Sequence, residues 1–174
     1  MGKRSTFERI PRDFYPTPEK AFLPVIPHLD PNLQFVEPCA GDGRLIEHME
    51  KHGFHVSDAY DIDPEFGYAV ADATNTNFGD MTGKAFLTNP PWDRKLLHPM
   101  IENLASQAPC WLLFDADWAH TLQSAEYMKM CVKVVSVGRV KWIEDSKMTG
   151  KDNCAWYLFD ENHVGPTQFY GRVK

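Results

Sequence analysis

Residues 34–63, "QFVEPCAGDGRLIEHMEKHGFHVSDAYDID", decide the fold. A short apolar run, Phe35 and Val36, reaches Glu37 and halts at Pro38, whose ring removes the amide that a continuing strand would need. Gly41 and Gly43 then let the chain turn tightly. From Arg44 the apolar residues Leu45, Ile46 and Met49 recur at helical spacing, and "HVSDAYDID" returns to an extended pattern. A strand, a helix and a strand in such quick succession predict two parallel strands with the helix laid across them.

The same alternation extends in both directions. "GYAVADA" (67–73), "KAFLTN" (84–89), "CWLLFDAD" (110–117), "VKVVSVG" (132–138) and "NCAWYLFD" (153–160) read as further strands. "DRKLLHPMIENLASQA" (93–108) and "AHTLQSAEYMKM" (119–130) read as helices, the first with Leu97, Met100, Ile101 and Leu104 at inward spacings. Upstream, "TPEKAFLPVIPHL" (17–29) predicts a short helix with Thr17 as its cap and Pro18 at the first helical position. Pro24 and Pro27 keep it short or kinked. The expectation is an α/β domain with a seven-stranded, mostly parallel sheet, an antiparallel hairpin at one edge and helices on both faces.

A chain of 174 residues suits one such domain, spanning 1–174 with residues 1–17 as an extended arm. After the seventh strand only residues 161–174 remain, too few for a separate recognition domain. With 43% hydrophobic and 24% charged residues the composition is that of a globular protein, neither disordered nor fibrous. No apolar run reaches the roughly 20 residues that span a bilayer, so a cytoplasmic, membrane-free protein is expected. "MGKRST" fits the short N-myristoylation pattern, without a second anchoring signal. Cys39, Cys110, Cys131 and Cys154 are scattered, with no zinc-ligand spacing, and read as reduced thiols. The net charge of −6 argues against a protein that simply coats nucleic acid, though Arg94 and Lys95, and later Arg139, Lys141, Lys147 and Lys151, form local basic groups.

In a doubly wound sheet, ligands bind beyond the carboxyl ends of the strands. The residues at those ends are therefore the ones to read. Glu37 precedes the glycine loop, where a carboxylate suits a cationic ligand better than a pyrophosphate. Asp61 ends the second strand, placed to accept ribose hydroxyls, with Ile62 beside it as an apolar face for a purine. Asp72 ends the third, placed to accept from the exocyclic amine of that purine. Asp63, before Pro64, reads as a turn residue. The fourth strand ends in "FLTNPPWDRK" (86–95), where two prolines fix φ and remove two backbone donors between an amide, Asn89, and an indole, Trp92.

"EPCAGDG", "YDIDP", "ADAT" and "NPPW", in this order, resemble the class I S-adenosylmethionine-dependent methyltransferases, and most closely the small phage-like enzymes that methylate N6 of adenine in DNA. The resemblance runs from about residue 13 to 160 and implies a Rossmann-like methyltransferase sheet. It implies that S-adenosylmethionine lies against Tyr15, Thr17 and Pro18, against Glu37, Pro38, Cys39, Ala40, Gly41 and Gly43 of the glycine loop, and against Asp61, Ile62, Asp72, Ala73 and Asn89. It implies catalysis by Asn89, Pro90, Pro91 and Trp92. The Asn89 oxygen and the Pro90 carbonyl would pyramidalise an aromatic amine whose lone pair is otherwise delocalised into its ring, while Trp92 stacks on the base. Arg94, Arg139, Lys141 and Trp142 are the further substrate-side candidates, Trp142 as the second face of the base and Trp118 as a weaker rim residue. The expected partner is nucleic acid, DNA first, with a homodimer or a partner chain supplying recognition. Close alternatives are RNA base methyltransferases and protein glutamine N5-methyltransferases, which resemble this hook through NPPY or NPPF, and a non-catalytic binding subunit.

Overall fold

The computed structural model describes residues 15–143 and 150–173; Lys147 and most of the expected N-terminal arm, with its myristoylation pattern, lie outside the described residues. Eight strands form one sheet: β1 Gln34–Glu37, β2 His55–Asp61, β3 Ala69–Val70, β4 Lys84–Thr88, β5 Cys110–Asp115, β6 Cys131–Arg139, β7 Asn153–Phe159 and β8 Gln168–Tyr170. Their order is β3-β2-β1-β4-β5-β7-β6-β8. β1 pairs in parallel with β2 on one side and with β4 on the other. β5 continues the parallel set, and β7 runs antiparallel between β5 and β6.

Two expectations are corrected at the far end of the sheet. Among the described residues there are eight strands, not seven, and the β6–β7 hairpin does not form the edge, because β8 adds in parallel to β6. β8 was illegible because it is three residues long, with Gln168 and Phe169 exposed, and so carries no burial pattern.

The helices divide between the faces as the periodicity requires. α2 (Arg44–Lys51) buries Leu45 and Met49, and α1 (Glu19–Phe22) buries Ala21 and Phe22, on the face that receives Trp111 and Leu113 of β5 and Trp156 of β7. α3 (Arg94–Ala105) buries Leu97, Met100, Ile101 and Leu104 on the opposite face, against Leu112 and Phe114 of β5 and Tyr157 of β7. Alternate residues of one strand thus feed two cores, which is why the central strands read as unbroken apolar runs.

Two helical expectations are revised, the cap of the first helix and the helix over 119–130, while the proline-shortened segment is as expected. α1 begins at Glu19 with Pro18 as its cap residue and no side-chain cap, and the Thr17 hydroxyl turns elsewhere. Pro24 and Pro27 convert the rest of that segment to a 3-10 helix, Leu23–His28. The expected helix over 119–130 is two 3-10 turns and one four-residue helix, α4 (Ala125–Met128). Only a 3-10 turn, Pro64–Phe66, separates β2 from β3. Among the described residues no helix is long and apolar enough to cross a membrane, and all four cysteines are free thiols.

Trp156, fully buried, ties the N-terminal helix to the sheet by donating Nε1–H to the Ala21 carbonyl at 2.8 Å. Trp156→Phe leaves that carbonyl buried without its donor. The expected loss is about 1–3 kcal/mol, read as a lowered urea midpoint at unchanged m-value; an unchanged midpoint would remove this tie from the account.

Candidate active site

β1 pairs with β2 on one side and with β4 on the other, so the strand order reverses at β1, and the loops leaving β1 and β4 depart to opposite faces and open a crevice between them. Glu37 closes β1 and Asn89 follows β4 at that crevice.

Glu37 is 1% exposed, and its Oε1 accepts the Cys39 amide at 2.9 Å. Burial pushes its carboxyl up to about 8, and the charge of Asp61 adds to this. The Thr88 hydroxyl, close by but outside hydrogen-bond geometry, and the Cys39 amide pull it down only in part. A carboxyl so placed favours a cation beside it, since an opposite charge restores the ionised form.

The glycine loop is held by the second strand. Asp61, 8% exposed, accepts the Gly41 amide on Oδ2 and the Asp63 amide on Oδ1, each at 2.8 Å. The residue expected to take ribose hydroxyls therefore also fixes the loop, and each of its oxygens has one further lone pair for a ligand. Ile62 stands 54% exposed at the strand end. Asp72 accepts the Thr74 amide at 2.9 Å and the Thr74 hydroxyl at 2.7 Å on Oδ1, capping a turn, while Oδ2 takes only a 3.5 Å contact from Asn75. Ala73 beside it is buried. Asp63 caps the 3-10 turn through the Glu65 amide, as expected of a turn residue. Pro38 and Ala40 are buried in the loop and Cys39 is half-buried, its thiol pushed up by burial.

At the hook, the Asn89 side chain donates Nδ2–H to the Thr17 hydroxyl at 3.0 Å and to the Tyr15 carbonyl at 3.3 Å. This orients Oδ1 toward the Trp92 indole, whose Nε1–H is shared between Asn89 Oδ1 at 3.4 Å and the Leu113 carbonyl at 3.2 Å. The stretch 15–18 thus lies against the hook although about 72 residues separate them in the chain. Pro90 is buried and Pro91 half-buried.

Trp142 meets Trp92 edge to face, with ring centroids 5.7 Å apart and planes at 85°, and Tyr15 lies 6.4 Å beyond Trp142. The structure brings the two expected base-stacking rings together, but not as parallel walls. Arg139 and Lys141 are exposed on the chain leading to Trp142, and exposed Arg94 donates to Gln123 at 2.6 Å. Trp118 is not a rim residue: it is 1% exposed, in the core, with Nε1–H donating to His98 Nε2 at 3.0 Å.

Sequence reading missed Tyr68. Its hydroxyl packs against Gly43, whose φ of +82° and lack of Cβ make that approach feasible. Burial and the nearby carboxylates of Asp42, Glu37, Glu47 and Asp61 raise the phenol above its usual range. It was also silent on Thr88 and on the Leu113 carbonyl, because neither a buried strand hydroxyl nor a backbone oxygen leaves a motif.

No family model matches the sequence, and no curated protein matches it. Solved structures do match. A dimethyladenosine transferase from Plasmodium falciparum is similar at 18% identity and a TM-score of 0.53, over 84% of this chain and 62% of that one. The 23S rRNA methyltransferase ErmE is similar at 14% identity and a TM-score of 0.52, over 82% and 67% respectively. A type I restriction-modification methyltransferase subunit from Streptococcus thermophilus is similar at 11% identity and a TM-score of 0.57, over 90% of this chain and 47% of that one. The chain spans less than two thirds of the first and about half of the third. These likenesses establish a methyltransferase-type fold.

The Glu37 environment gives a signed expectation. Its folded pKa of about 8 exceeds the ordinary 4.5, so the native state binds more protons than the unfolded chain between those values, and stability falls as pH rises through that window. Glu37→Gln abolishes this dependence. Relative to wild type, the variant should gain a few kcal/mol between pH 5 and pH 8 in urea unfolding; parallel curves would contradict the buried-carboxyl account.

Proposed function

We propose that this protein methylates the exocyclic N6 amine of adenine in DNA, with S-adenosylmethionine as the methyl donor. The reading rests chiefly on Asn89. Its Nδ2 is spent on Thr17 and Tyr15, so Oδ1 is fixed as an acceptor on a corner stiffened by Pro90 and Pro91, at the sheet's switch point.

The residues present fit the cofactor. The Gly41–Gly43 turn, backed by Asp61, lets the chain pass close to a ligand, Ile62 offers an apolar face, and Glu37 and Asp72 line the loop ends with carboxyl groups. Held there, S-adenosylmethionine would supply an electrophilic methyl, its carbon passing from sulfur to the amine nitrogen so that S-adenosylhomocysteine leaves and the amine proton goes to water. Glu37 would lie beside a cationic group there, and that charge would favour its ionised form. Asn89 Oδ1 and the Pro90 carbonyl accept from the amine hydrogens, favouring a pyramidal nitrogen with its lone pair directed at the methyl group. Holding amine and donor together removes about 7–11 kcal/mol of entropic cost. Trp92 supplies an aromatic face for the base, and the Trp92–Trp142 contact opens to admit it.

The neighbours described as a dimethyladenosine transferase, an rRNA methyltransferase and a restriction-modification subunit support a nucleic-acid substrate. The rRNA methyltransferase makes RNA the second reading. An adenine in duplex must be extruded to reach the hook, at a few kcal/mol, and a chain of net charge −6 favours single strands or a partner, a second copy of the chain or another protein, that supplies duplex recognition.

The test uses labelled S-adenosylmethionine with separate pools of duplex DNA, single-stranded DNA, RNA and protein, followed by nucleoside and amino-acid analysis. Label is expected as N6-methyldeoxyadenosine. Asn89→Ala should lower the rate about a hundredfold or more while S-adenosylhomocysteine still binds in calorimetry. Label confined to glutamine in the protein pool would reject the nucleobase reading.

A further inference from the structure

Beyond the hook, a groove of about 590 Å³ runs between the solvent face of α3 and the segment 123–127. None of the steps above uses it. It starts at Arg94 and Lys95, the first two residues of α3, immediately after the Asn89–Trp92 corner. The Arg94 guanidinium is braced by its 2.6 Å bond to Gln123, so it is held across the groove rather than trailing into solvent.

The wall behind these cations is aromatic. His98 and Tyr127 lie ring over ring, with centroids 4.5 Å apart and planes 31° from parallel. His98 is anchored from beneath, because its Nε2 accepts from the Nε1–H of buried Trp118 at 3.0 Å. That bond assigns the proton of the neutral ring to Nδ1. The charge then changes sign. Glu102 lies about 12 Å farther along the helix than Arg94, and it and Glu126 line the remainder of the groove. Glu126 is already paired with Lys129 at 2.6 Å.

We infer that this groove binds the nucleotide next to the target base on a single DNA strand, its phosphate on Arg94 and Lys95 and its base against the His98–Tyr127 pair. The inference rests on the nucleobase reading of the hook and adds where the strand leaves it. A backbone emerging from the site meets two cations first and a ring wall next, the combination that single-strand binding requires. The carboxylate of Glu102 then repels the following phosphate and turns the strand outward, which limits the site to about one nucleotide, while Glu126 is offset by Lys129. A peptide substrate has no use for a phosphate site followed by a stacking wall.

The experiment measures anisotropy of a fluorescein-labelled single-stranded DNA of about ten nucleotides with one central adenine, with S-adenosylhomocysteine present and across a salt series, beside methyl transfer to the same oligonucleotide. Lys95→Ala should weaken binding several-fold and reduce the slope of log K against log salt by about 0.7. Glu102→Lys should tighten binding and steepen that slope. Tyr127→Ala should weaken binding about tenfold with the slope unchanged, as loss of stacking requires. Lys95 and Glu102 are exposed, so those two variants keep the test decisive if Tyr127→Ala unfolds. Wild-type transfer to the oligonucleotide with unchanged affinity and slope in Lys95→Ala and Glu102→Lys overturns the groove alone. Absence of wild-type binding and transfer overturns the reading of the hook, and the groove with it.

Discussion

The parallel pairing of β1 with β2 on one side and β4 on the other is the constraint on which the rest depends. Two parallel neighbours oblige the chain to leave β1 and β4 at the same end of the sheet and to return by crossovers on opposite faces. That single requirement sets Glu37 and the glycine loop on one side of a crevice and the Asn89 corner on the other. It also assigns α2 to one core and α3 to the other, so the two apolar clusters exist because the strand order reverses at this point.

The crevice is polar where the sheet beneath it is not, and the fold supports this by making each acidic side chain serve the backbone. Asp61 carries the Gly41 and Asp63 amides, Asp72 caps the turn through Thr74, and Glu37 receives the Cys39 amide. Such hydrogen bonds hold the loop in one conformation. Glu37 is the exception in degree. It is buried deeply enough to lean toward its neutral form, and so holds in reserve an affinity for positive charge.

The hook is stiffened from two directions. Prolines restrict its backbone, and the Tyr15–Thr17 segment, brought in by α1 and by the Trp156 bond to Ala21, grips the Asn89 amide from outside the sheet. Trp92 completes the arrangement by bridging Asn89 Oδ1 and the Leu113 carbonyl, a link that an indole N–H supplies and a phenyl ring does not. Farther along α3 the same economy recurs: Trp118, buried in the core, steadies His98 at the surface.

The α/β alternation, the glycine turn and the proline corner were legible because each follows from local physics: residue period, the φ freedom of glycine and the φ restriction of proline. The strands β1 to β7 and the helices α2 and α3 could be read this way. What the sequence left open were features held by partners distant along the chain. β8 exists through its pairing with β6, Trp118 is core rather than rim because α3 covers it, and Tyr68 reaches Gly43 only across a turn. The hydrogen bonds that set the Asn89 amide, the edge-to-face meeting of Trp92 and Trp142, and the depth of Glu37 belong to the same class. A sequence states which side chains are available at each strand end, but burial and hydrogen-bond geometry depend on segments tens of residues apart, and only the folded chain brings those together.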